Sequence, residues 1–342
     1  MRKFDTLIVG HGMAGATLAQ VLINRGQRIC VVDKLSETSA SEIAAGIINP
    51  VTGHRLNITS GFEKYYRSAI QFYQGFEQQR QCRILFPLNQ VRLLKNQGQH
   101  SYYLQRRKDQ QYSRYFGQYR PSATHFLGDY FGELEIKESA VVSTRTFLSH
   151  SQEILFNLDS LFDQQFDYSQ LRVESGRFIF GNICAQNLIF CEGHTAIKNP
   201  RLQGLPFKLS KGEIVNLSNP APQTDFLNWG HWCIQDPVSG TVRLGSTYDW
   251  DDLSKSANRT AGLLKSLNDY VGAGMVHSLD VGIRPTTRER IPFVGELSEL
   301  PNAYCFNGFG SKGCLLIPHY AELLASHLID EMPIPEELCK WL

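Results

Sequence analysis

The sequence predicts an α/β fold with two structural regions, and three observations support this. The chain has 342 residues, more than one ordinary hydrophobic core fills. A short apolar run at residues 4–9 ends at a glycine and is followed by apolar residues at helical spacing. A second apolar run, at residues 27–33, comes after that helix. Strand, helix and strand in this order predict a parallel sheet with a helix packed on it.

Composition excludes several classes of protein. The hydrophobic fraction of 42% is that of a globular chain. A formal net charge of +1 gives no global attraction to nucleic acid or to membranes. No apolar stretch approaches the ~18 residues that a membrane span needs. The basic and apolar start of the chain runs directly into the glycine loop, so we interpret it as a strand and not as a signal peptide. We expect no membrane association.

The cysteines and histidines indicate a reducing compartment and no metal site. The eight cysteines are spread along the chain without a Cys-x-x-Cys pair, which is neither a zinc spacing nor a disulfide framework. We expect most of them to be buried and reduced, and we therefore expect the protein in the cytoplasm. The histidines are equally dispersed, and no Ser–His–Asp grouping is recognisable.

The first glycine cluster is the best-defined binding motif. Gly10 permits a tight turn, Gly12 lets the backbone approach a pyrophosphate, and Gly15 lets the helix pack closely on its strand. Met13 and Ala14 begin that helix, whose free N–H groups would face the phosphates. An ordinary glycine turn is the alternative interpretation.

The end of the second apolar run adds specificity to this motif. Asp33 can accept hydrogen bonds from a ribose, at the ~20-residue offset expected of a dinucleotide fold. The cation beside it is Lys34, and not the arginine that would indicate a 2′-phosphate. The motif therefore favours FAD or NAD over NADP, and it leaves the first two open.

Further segments extend the pattern over the whole chain. They read SETSASEIAAGIINPVTG from Ser36, GIRPTTRERIPFVGE from Gly282 and NAYCFNGFGSKGCLLIPHYAELLASHL from Asn302. Together with the first motif they resemble the D-amino-acid oxidase-like (DAO) family of FAD-dependent oxidoreductases. That family includes glycine oxidase, sarcosine oxidase and the oxidase domain of a bifunctional tRNA-modifying enzyme. The resemblance is strongest over residues 4–50 and 280–328.

The resemblance implies FAD as the cofactor and a Rossmann-like FAD-binding domain with an interleaved substrate domain, built on a largely antiparallel sheet. We expect the FAD-binding domain at residues 1–60, 140–205 and 280–342. The substrate domain is expected at residues 61–139 and 206–279.

The resemblance also implies which residues line the cofactor. Besides the first motif, Asp33 and Lys34, they are Ser41, Ala44, Ala45, Gly46, Gly193, Gly308, Gly310, Ser311, Lys312 and Gly313. In the family, the helix after the last glycine points its positive N-terminus at the pyrimidine end of the flavin ring, where it would stabilise the reduced anion. Lys312 would add a full charge there, and a solvated lysine is the alternative.

Arg284 matches the family position that binds the substrate carboxylate. Its planar guanidinium can hold a carboxylate with two hydrogen bonds, while Arg288 and Arg290 are expected to be solvated. Tyr248 would contribute a hydroxyl or an aromatic wall to the substrate pocket, or else fill the core. Glu192 departs from the small residues usual at its place, as an acid–base group or as a local hydrogen-bonding partner.

The chemistry implied is oxidation of the C–N bond in a small or N-substituted amino acid by hydride transfer to flavin, followed by hydrolysis of the imine. The catalytic candidates are Arg284, Tyr248 and Lys312. Two alternatives stay open. One is the oxidation of an aminomethyl-type modified uridine in tRNA, and the other is a non-catalytic flavoprotein. The oligomeric state is open too.

Residues 80–120 supply the basis for the tRNA alternative. They hold nine basic side chains against one acid, a formal charge of +8, with tyrosines interleaved. Such mixtures can neutralise phosphates and stack on bases. A solvated helical face balanced by acids elsewhere is the interpretation we favour, because the whole chain is nearly neutral.

Overall fold

The structure is a computed structural model that describes residues 1–36, 39–121, 126–218, 224–254 and 257–342. Within these ranges the strands are β1 (Arg2–Val9), β2 (Ile29–Asp33), β3 (Ile47–Ile48), β4 (Val51–Thr52), β5 (Asn57–Ile58), β6 (Leu85–Pro87), β7 (Gln90–Leu93), β8 (Phe116–Arg120), β9 (Glu133–Ile136), β10 (Ala140–Val142), β11 (Leu161–Asp163), β12 (Arg172–Glu174), β13 (Arg177–Phe180), β14 (Ile183–Phe190), β15 (Ser210–Leu217), β16 (Phe226–Asn228), β17 (Trp232–Gln235), β18 (Val242–Gly245), β19 (Val276–Arg284), β20 (Phe293–Leu297) and β21 (Leu300–Asn307).

The α-helices are α1 (Met13–Asn24), α2 (Phe62–Arg80), α3 (Gln97–Arg106), α4 (Gln110–Ser113), α5 (Thr144–Asn157), α6 (Thr260–Tyr270), α7 (Gly313–Asp330) and α8 (Glu336–Cys339). Short 3-10 helices cover Tyr168–Gln170, Gly193–Lys198 and Gly310–Lys312.

The chain divides into two compact units with interleaved segments. The first unit consists of Met1–Ala44, Thr144–Ser210 and Ile283–Leu342, and the second consists of Ala45–Ser143 and Lys211–Gly282. Residues 45–60, which the sequence assigns to the first region, lie in the second unit, because β3 pairs there with β10 and β4 pairs with β5. Which unit binds cofactor and which binds substrate stays a prediction.

The sheet of the first unit is built on parallel strands. Strands β11, β2, β1, β14 and β21 are neighbours in that order and run parallel, while β12, β13 and β20 pair antiparallel. Helix α1 joins β1 to β2, as the first two apolar runs predict. The buried core of this sheet includes Leu7, Val32, Leu188 and Phe190. The predicted α/β fold with a Rossmann-like sheet is confirmed.

The second unit contains an eight-stranded sheet in the order β19-β15-β18-β17-β16-β7-β9-β8. Its registered pairs are antiparallel apart from β16 with β7, so the largely antiparallel sheet is confirmed. Leu263 and Leu267 of α6 pack with Val215, Leu244 and Trp229 in one buried cluster.

A buried carboxylate holds the start of α6. Glu213 on β15 is fully buried, and its carboxylate accepts hydrogen bonds from the N–H groups of Asn258 at 2.8 Å and Arg259 at 3.0 Å. The Thr260 hydroxyl donates to the same carboxylate at 2.8 Å. The helix therefore receives its N-terminal cap from a neighbouring strand, since its own N-cap residue makes no side-chain cap.

A second set of charges fixes the loop that follows β18. The Lys211 side chain is 0% exposed, and its Nζ donates to Asp252 Oδ2 at 2.6 Å. The backbones of Lys211 and Asp249 exchange hydrogen bonds of 2.8 and 3.0 Å. Asp249 is itself buried and pairs with Arg259 Nε at 2.8 Å. The charge of Lys211 thus holds the loop to strand β15, and the charge of Asp249 joins it to the start of α6.

All eight cysteines are free, and six of them are buried, as expected. The cytoplasmic location inferred from them stays a prediction. Among the helices of the described ranges, none is both long and apolar enough to span a membrane.

Candidate functional site

Three strands of the first unit end side by side and place the candidate residues at one edge of the sheet. The register pairs Val9 with Val32 and with Phe190. Because parallel strands end at the same edge, Gly10, Asp33 and Cys191 are brought together there. The backbone N–H of His11 donates to Asp33 Oδ2 at 2.7 Å, which ties the glycine loop directly to the predicted ribose-binding acid.

The glycines of the first loop lie close to other atoms of the protein. Gly10 has φ +104°, and a Cβ on it would lie 2.5 Å from the carbonyl oxygen of Cys191. A Cβ on Gly15 would lie 1.9 Å from the carbonyl oxygen of Gly10, and one on Gly12 would lie 2.9 Å from Ser41 Oγ. Backbone contacts therefore require a glycine at positions 10 and 15, while a side chain at position 12 would have to displace the Ser41 hydroxyl.

The helix that follows this loop is open to an anion. Helix α1 has no side-chain cap from Gly12 and no acidic residue in its first turn, so its positive end is not neutralised within the first turn. Ser41 Oγ accepts the N–H of Met13 at 2.9 Å, so Ser41 joins the same loop. Ala14 is half-buried in the first turn. A glycine loop without side chains at its glycines and a helix start without acidic residues together fit a pyrophosphate.

Asp33 and Lys34 have different surroundings. Burial raises the pKa of Asp33, and the backbone N–H groups of His11 and Lys34 act in the opposite direction. Lys34 is exposed, and its Nζ lies 3.1 Å from Asp163 Oδ1. Lys34 forms a surface ion pair. The contacts of Asp33 with a ribose and of Lys34 with the cofactor stay predictions.

His11 is a residue of this site that the sequence did not single out. Its ring is 4% exposed, and Nε2 lies 2.9 Å from Ser151 Oγ on α5. Burial lowers its pKa to about 4, so the imidazole is neutral at pH 7. The sequence carried no signal for this role, because the glycine pattern does not specify the residue between Gly10 and Gly12.

Ala44 and Gly46, on either side of Ala45, both make contacts within the protein. The Ala44 carbonyl accepts the Thr144 hydroxyl at 3.4 Å in the first unit. Ala45 and Gly46 belong to the second unit. A Cβ on Gly46 would lie 1.8 Å from the carbonyl oxygen of Val142, so strand β10 alone requires a glycine there. Their predicted contacts with the cofactor stay predictions.

The turn after β14 is held by polar contacts. Glu192 was expected to be either an acid–base group or a local hydrogen-bonding partner. The structure favours the second, because the Glu192 carboxylate accepts hydrogen bonds from the Tyr168 hydroxyl and from Asn199 Nδ2. Burial raises the pKa of Glu192. Gly193 follows at φ +59°, and its carbonyl accepts Asn307 Nδ2 at 2.9 Å. This turn therefore reaches the loop at the end of β21.

The second glycine loop packs on the segment that follows Arg284. Cβ atoms on Gly308 and Gly310 would lie 2.6 Å from the Cγ2 atoms of Thr287 and Thr286, respectively. The Gly310 N–H also donates to the Pro285 carbonyl at 3.1 Å. The two segments that the resemblance assigns to flavin and to substrate are thus in direct contact within the first unit.

Helix α7 begins at the end of this loop. It starts at Gly313 with no side-chain cap and no acid in its first turn, so its N-terminus is a second anion-ready helix end. Ser311 is exposed. Lys312 is half-buried rather than solvated, and burial together with Arg290 lowers its pKa.

The two remaining catalytic candidates lie in different units. Arg284 is half-buried at the end of β19, while Arg288 and Arg290 are exposed, as expected. Tyr248 lies in the second unit and is 45% exposed. Its ring stacks on Trp250, with centroids 6.0 Å apart. The alternative interpretation of Tyr248 as a core aromatic is therefore wrong.

A family model described as FAD dependent oxidoreductase, DAO, matches residues 5–327. The chain belongs to this family. It is therefore an FAD-dependent oxidoreductase, as the resemblance implies. The glycine loop, the start of α1 and Asp33 fit the dinucleotide part of FAD on their own geometry.

Two solved structures share this fold over nearly the whole chain. Glycine oxidase from Bacillus cereus has a TM-score of 0.80 at 17% identity and covers 98% of this chain and 97% of that one. Iminodiacetate oxidase from Chelativorans sp. has a TM-score of 0.77 at 19% identity and covers 98% of each chain. At these identities the likeness concerns the fold alone.

One curated relative acts in tRNA modification. The tRNA 5-methylaminomethyl-2-thiouridine biosynthesis bifunctional protein MnmC of Aromatoleum aromaticum is 26% identical over 167 residues. The match covers 41% of this chain and 26% of that protein, about a quarter of its length.

The basic region at residues 80–120 is partly internal in this oxidoreductase. Arg92 is 6% exposed and bonds Asn228, so it is structural. Arg114 is paired with Glu63 at 3.1 Å and Glu138 at 2.5 Å.

Three tyrosines of the same region, Tyr103, Tyr112 and Tyr115, are buried and cannot stack on bases. Arg107 and Lys108 are exposed. The surface of this region that could contact phosphates is therefore limited to a few cations.

In the described part of the chain, His, Cys, Asp and Glu side chains form no group that could hold a metal ion.

Proposed function

We propose that this FAD-dependent oxidoreductase oxidises the C–N bond of a small or N-substituted amino acid, in the manner of glycine oxidase. The observation that supports this most directly is the contact between the segment after Arg284 and the Gly308–Gly313 loop. A cation suited to a carboxylate is thereby joined to the loop that the family uses at the flavin.

The residues of the chain bind and orient the substrate in this proposal. Arg284 holds the substrate carboxylate through its planar guanidinium, which fixes the direction of the Cα–H bond. Bound FAD supplies the two-electron acceptor for the oxidation. Lys312 and the N-terminus of α7 provide positive charge, and Tyr248 provides a hydroxyl or an aromatic wall. Water then hydrolyses the imine.

The proposed cofactor contacts follow the same division. The Gly10–Gly15 loop and α1 hold the pyrophosphate, and Asp33 holds the ribose. Ser41 supports the loop through Met13. The remaining residues proposed to contact FAD are Lys34, Ala44, Ala45, Gly46, Gly193, Gly308, Gly310, Ser311 and Gly313.

An anaerobic titration tests the proposal. The purified protein should carry FAD, and glycine, sarcosine or iminodiacetate should bleach its visible absorbance. A protein that binds FAD but is not bleached by any amino acid or N-alkyl glycine would instead be a non-catalytic flavoprotein, and the proposal would be wrong.

A matched pair of substitutions tests the role of Arg284. Arg284→Lys keeps the charge but loses the planar fork, and kcat/KM for a carboxylate substrate should fall about 100-fold. Arg288→Lys, at an exposed position, should leave kcat/KM within about twofold. Equal effects of the two substitutions would remove Arg284 from the substrate site.

The match to MnmC and the exposed Arg107 and Lys108 favour a second candidate, in which the amine is carried by a modified uridine of tRNA. Binding of tRNA to the protein should then weaken steeply with salt, since each neutralised phosphate releases counterions. Replacing Arg106, Arg107 and Lys108 by Gln should abolish the binding of tRNA. The same change at Arg172, Arg177 and Lys198, which are exposed in the first unit, is the control. Equal loss in both variants would indicate non-specific attraction.

A further inference from the structure

The turn at residues 191–193, here named the bridging turn, contacts the first glycine loop from below. The Cys191 N–H donates to the Val9 carbonyl at 2.7 Å. The Cys191 carbonyl oxygen lies only 2.5 Å from where a Cβ on Gly10 would be. A Cβ on Gly15 would lie 3.3 Å from Cys191 Cβ as well. Any displacement of this turn therefore displaces the loop proposed to hold the pyrophosphate.

The bridging turn also contacts the second glycine loop. Asn307 is 2% exposed, and its Nδ2 donates to the Gly193 carbonyl at 2.9 Å. Asn307 Oδ1 accepts the N–H of Gly308 at 2.7 Å. One buried amide therefore joins the bridging turn to the start of the loop that packs beside Arg284.

Glu192 fixes the bridging turn from the protein side. Its two carboxylate oxygens accept bonds from different elements, one from the Tyr168 hydroxyl and one from Asn199 Nδ2 at 2.7 Å. Asn199 is 0% exposed, and its Oδ1 accepts the Arg201 N–H at 2.8 Å. The Thr195 hydroxyl donates to the Glu192 carbonyl at 2.7 Å.

Glu192 is an acid at a position where a negative charge is unfavourable. Burial and, to a smaller extent, the nearby Asp33 raise the pKa of Glu192, so the ionised form of Glu192 is disfavoured beside the proposed site for an anionic cofactor. A buried carboxylate is costly unless its hydrogen bonds are satisfied. We infer that Glu192 stands here because its hydrogen bonds fix the geometry of the bridging turn.

We propose that the bridging turn is a common support for the two glycine loops, and that Glu192 is a positioning residue for FAD that acts through it. The loops come from distant parts of the sequence, near residues 10 and 308, and the inference rests on the proposed function, in which FAD contacts both loops. A support fixed before binding lowers the entropic cost of ordering them.

Retention of FAD by the holoenzyme tests this. The rate of FAD release after dilution is followed by the rise in flavin fluorescence, well below the unfolding temperature. Tyr168→Phe removes one hydrogen bond to Glu192 and should speed release about tenfold, and Glu192→Ala should speed it about 100-fold. Glu192→Gln, which keeps an acceptor, should lie close to Tyr168→Phe. The control is Tyr304→Phe, at a buried tyrosine of the same unit that packs edge-on against His327.

A double-mutant cycle separates positioning from general stability. Glu192→Ala and Asn307→Ala act on opposite sides of the same turn, so their combined effect on the release rate should be smaller than the product of the single effects. Tyr304→Phe combined with Asn307→Ala should be multiplicative. The proposal is overturned if Glu192→Ala retains FAD as the parent does, or if its effect simply multiplies that of Asn307→Ala. It is also overturned if release tracks the urea midpoint across all variants, control included.

Discussion

The two units of this oxidoreductase position their key groups by different means. In the first unit the first glycine loop is shaped by backbone contacts that exclude a side chain at Gly10 and at Gly15. In the second unit the loop after β18 and the start of α6 are held by buried charges, chiefly Lys211 and Glu213. A backbone contact tolerates no added atom, whereas a charged contact fails when its partner is removed. The two units should therefore respond to opposite kinds of substitution.

The largest effect is expected where a methyl group is added to the first unit. In Gly15→Ala, the new Cβ would meet the Gly10 carbonyl oxygen at 1.9 Å, which requires the loop to move at a cost of about 3 kcal/mol or more. The purified protein should contain little FAD, as read from the ratio of flavin to protein absorbance. Gly75→Ala makes the same change in α2 of the second unit, where a Cβ meets nothing within 4 Å. That variant should gain about 0.5–1 kcal/mol in urea unfolding. Full flavin content in Gly15→Ala would break the contrast.

The next largest effect is a loss of stability in acid that depends on His11. Burial lowers the pKa of His11 from 6.5 to about 4, so between these values the unfolded chain binds a proton that the folded chain does not. Stability therefore falls as the pH drops from 6.5 to about 4, by about 3 kcal/mol from this residue. The raised pKa values of Asp33 and Glu192 act in the opposite direction. The measurement is therefore the difference between the parent and His11→Gln in urea unfolding at pH 7 and pH 4.5. Parallel pH profiles for the two proteins would show that His11 is not buried as a neutral ring.

A smaller loss is expected from removing a charge in the second unit. Glu213→Ala leaves three donors at the start of α6 without their acceptor, and should cost about 2 kcal/mol in urea unfolding. Its FAD content at low temperature should be normal, because no atom of the glycine loops is changed. Glu174→Ala, at an exposed position of the first unit, serves as the control and should be silent.

The smallest effect is expected at the surface cations. Arg107→Ala should change the free energy of unfolding by less than about 0.5 kcal/mol. Arg92→Met, in the same basic region, should cost several times more, because Arg92 is buried and bonds Asn228. Similar costs for the two would contradict the division of the region into internal and surface cations.

The sequence predicted the first unit well because its determinants are local. Three glycines, one helix and Asp33 occupy fixed offsets within a short stretch, and each offset has a steric reason. The buried charges of the second unit have no such pattern. Lys211, Glu213, Asp249 and Arg259 are ordinary polar residues in the sequence, and only the pairing of β15 with the loop after β18 makes them partners.

The roles of two residues at the candidate site depend on contacts that the local sequence does not specify. His11 was hidden within the motif, because the glycine pattern does not specify the residues between its glycines. Glu192 was noticed, but its role depended on Tyr168 and Asn199, which lie on either side of it in the sequence and meet it only in the fold. The basic region misled in part, because a list of cations and tyrosines does not say which of them face the core.

The interleaving of the two units has a consequence for the order in which the protein can be completed during synthesis. The first glycine loop is made before the second unit, whereas β21, Asn307 and α7 belong to the segment Ile283–Leu342, which follows it. A nascent chain that has already finished the second unit still lacks the amide that joins Gly193 to Gly308. The two glycine loops can therefore be joined only after residue 308 has been made, and we expect FAD to bind at the proposed site only after both units have been synthesised.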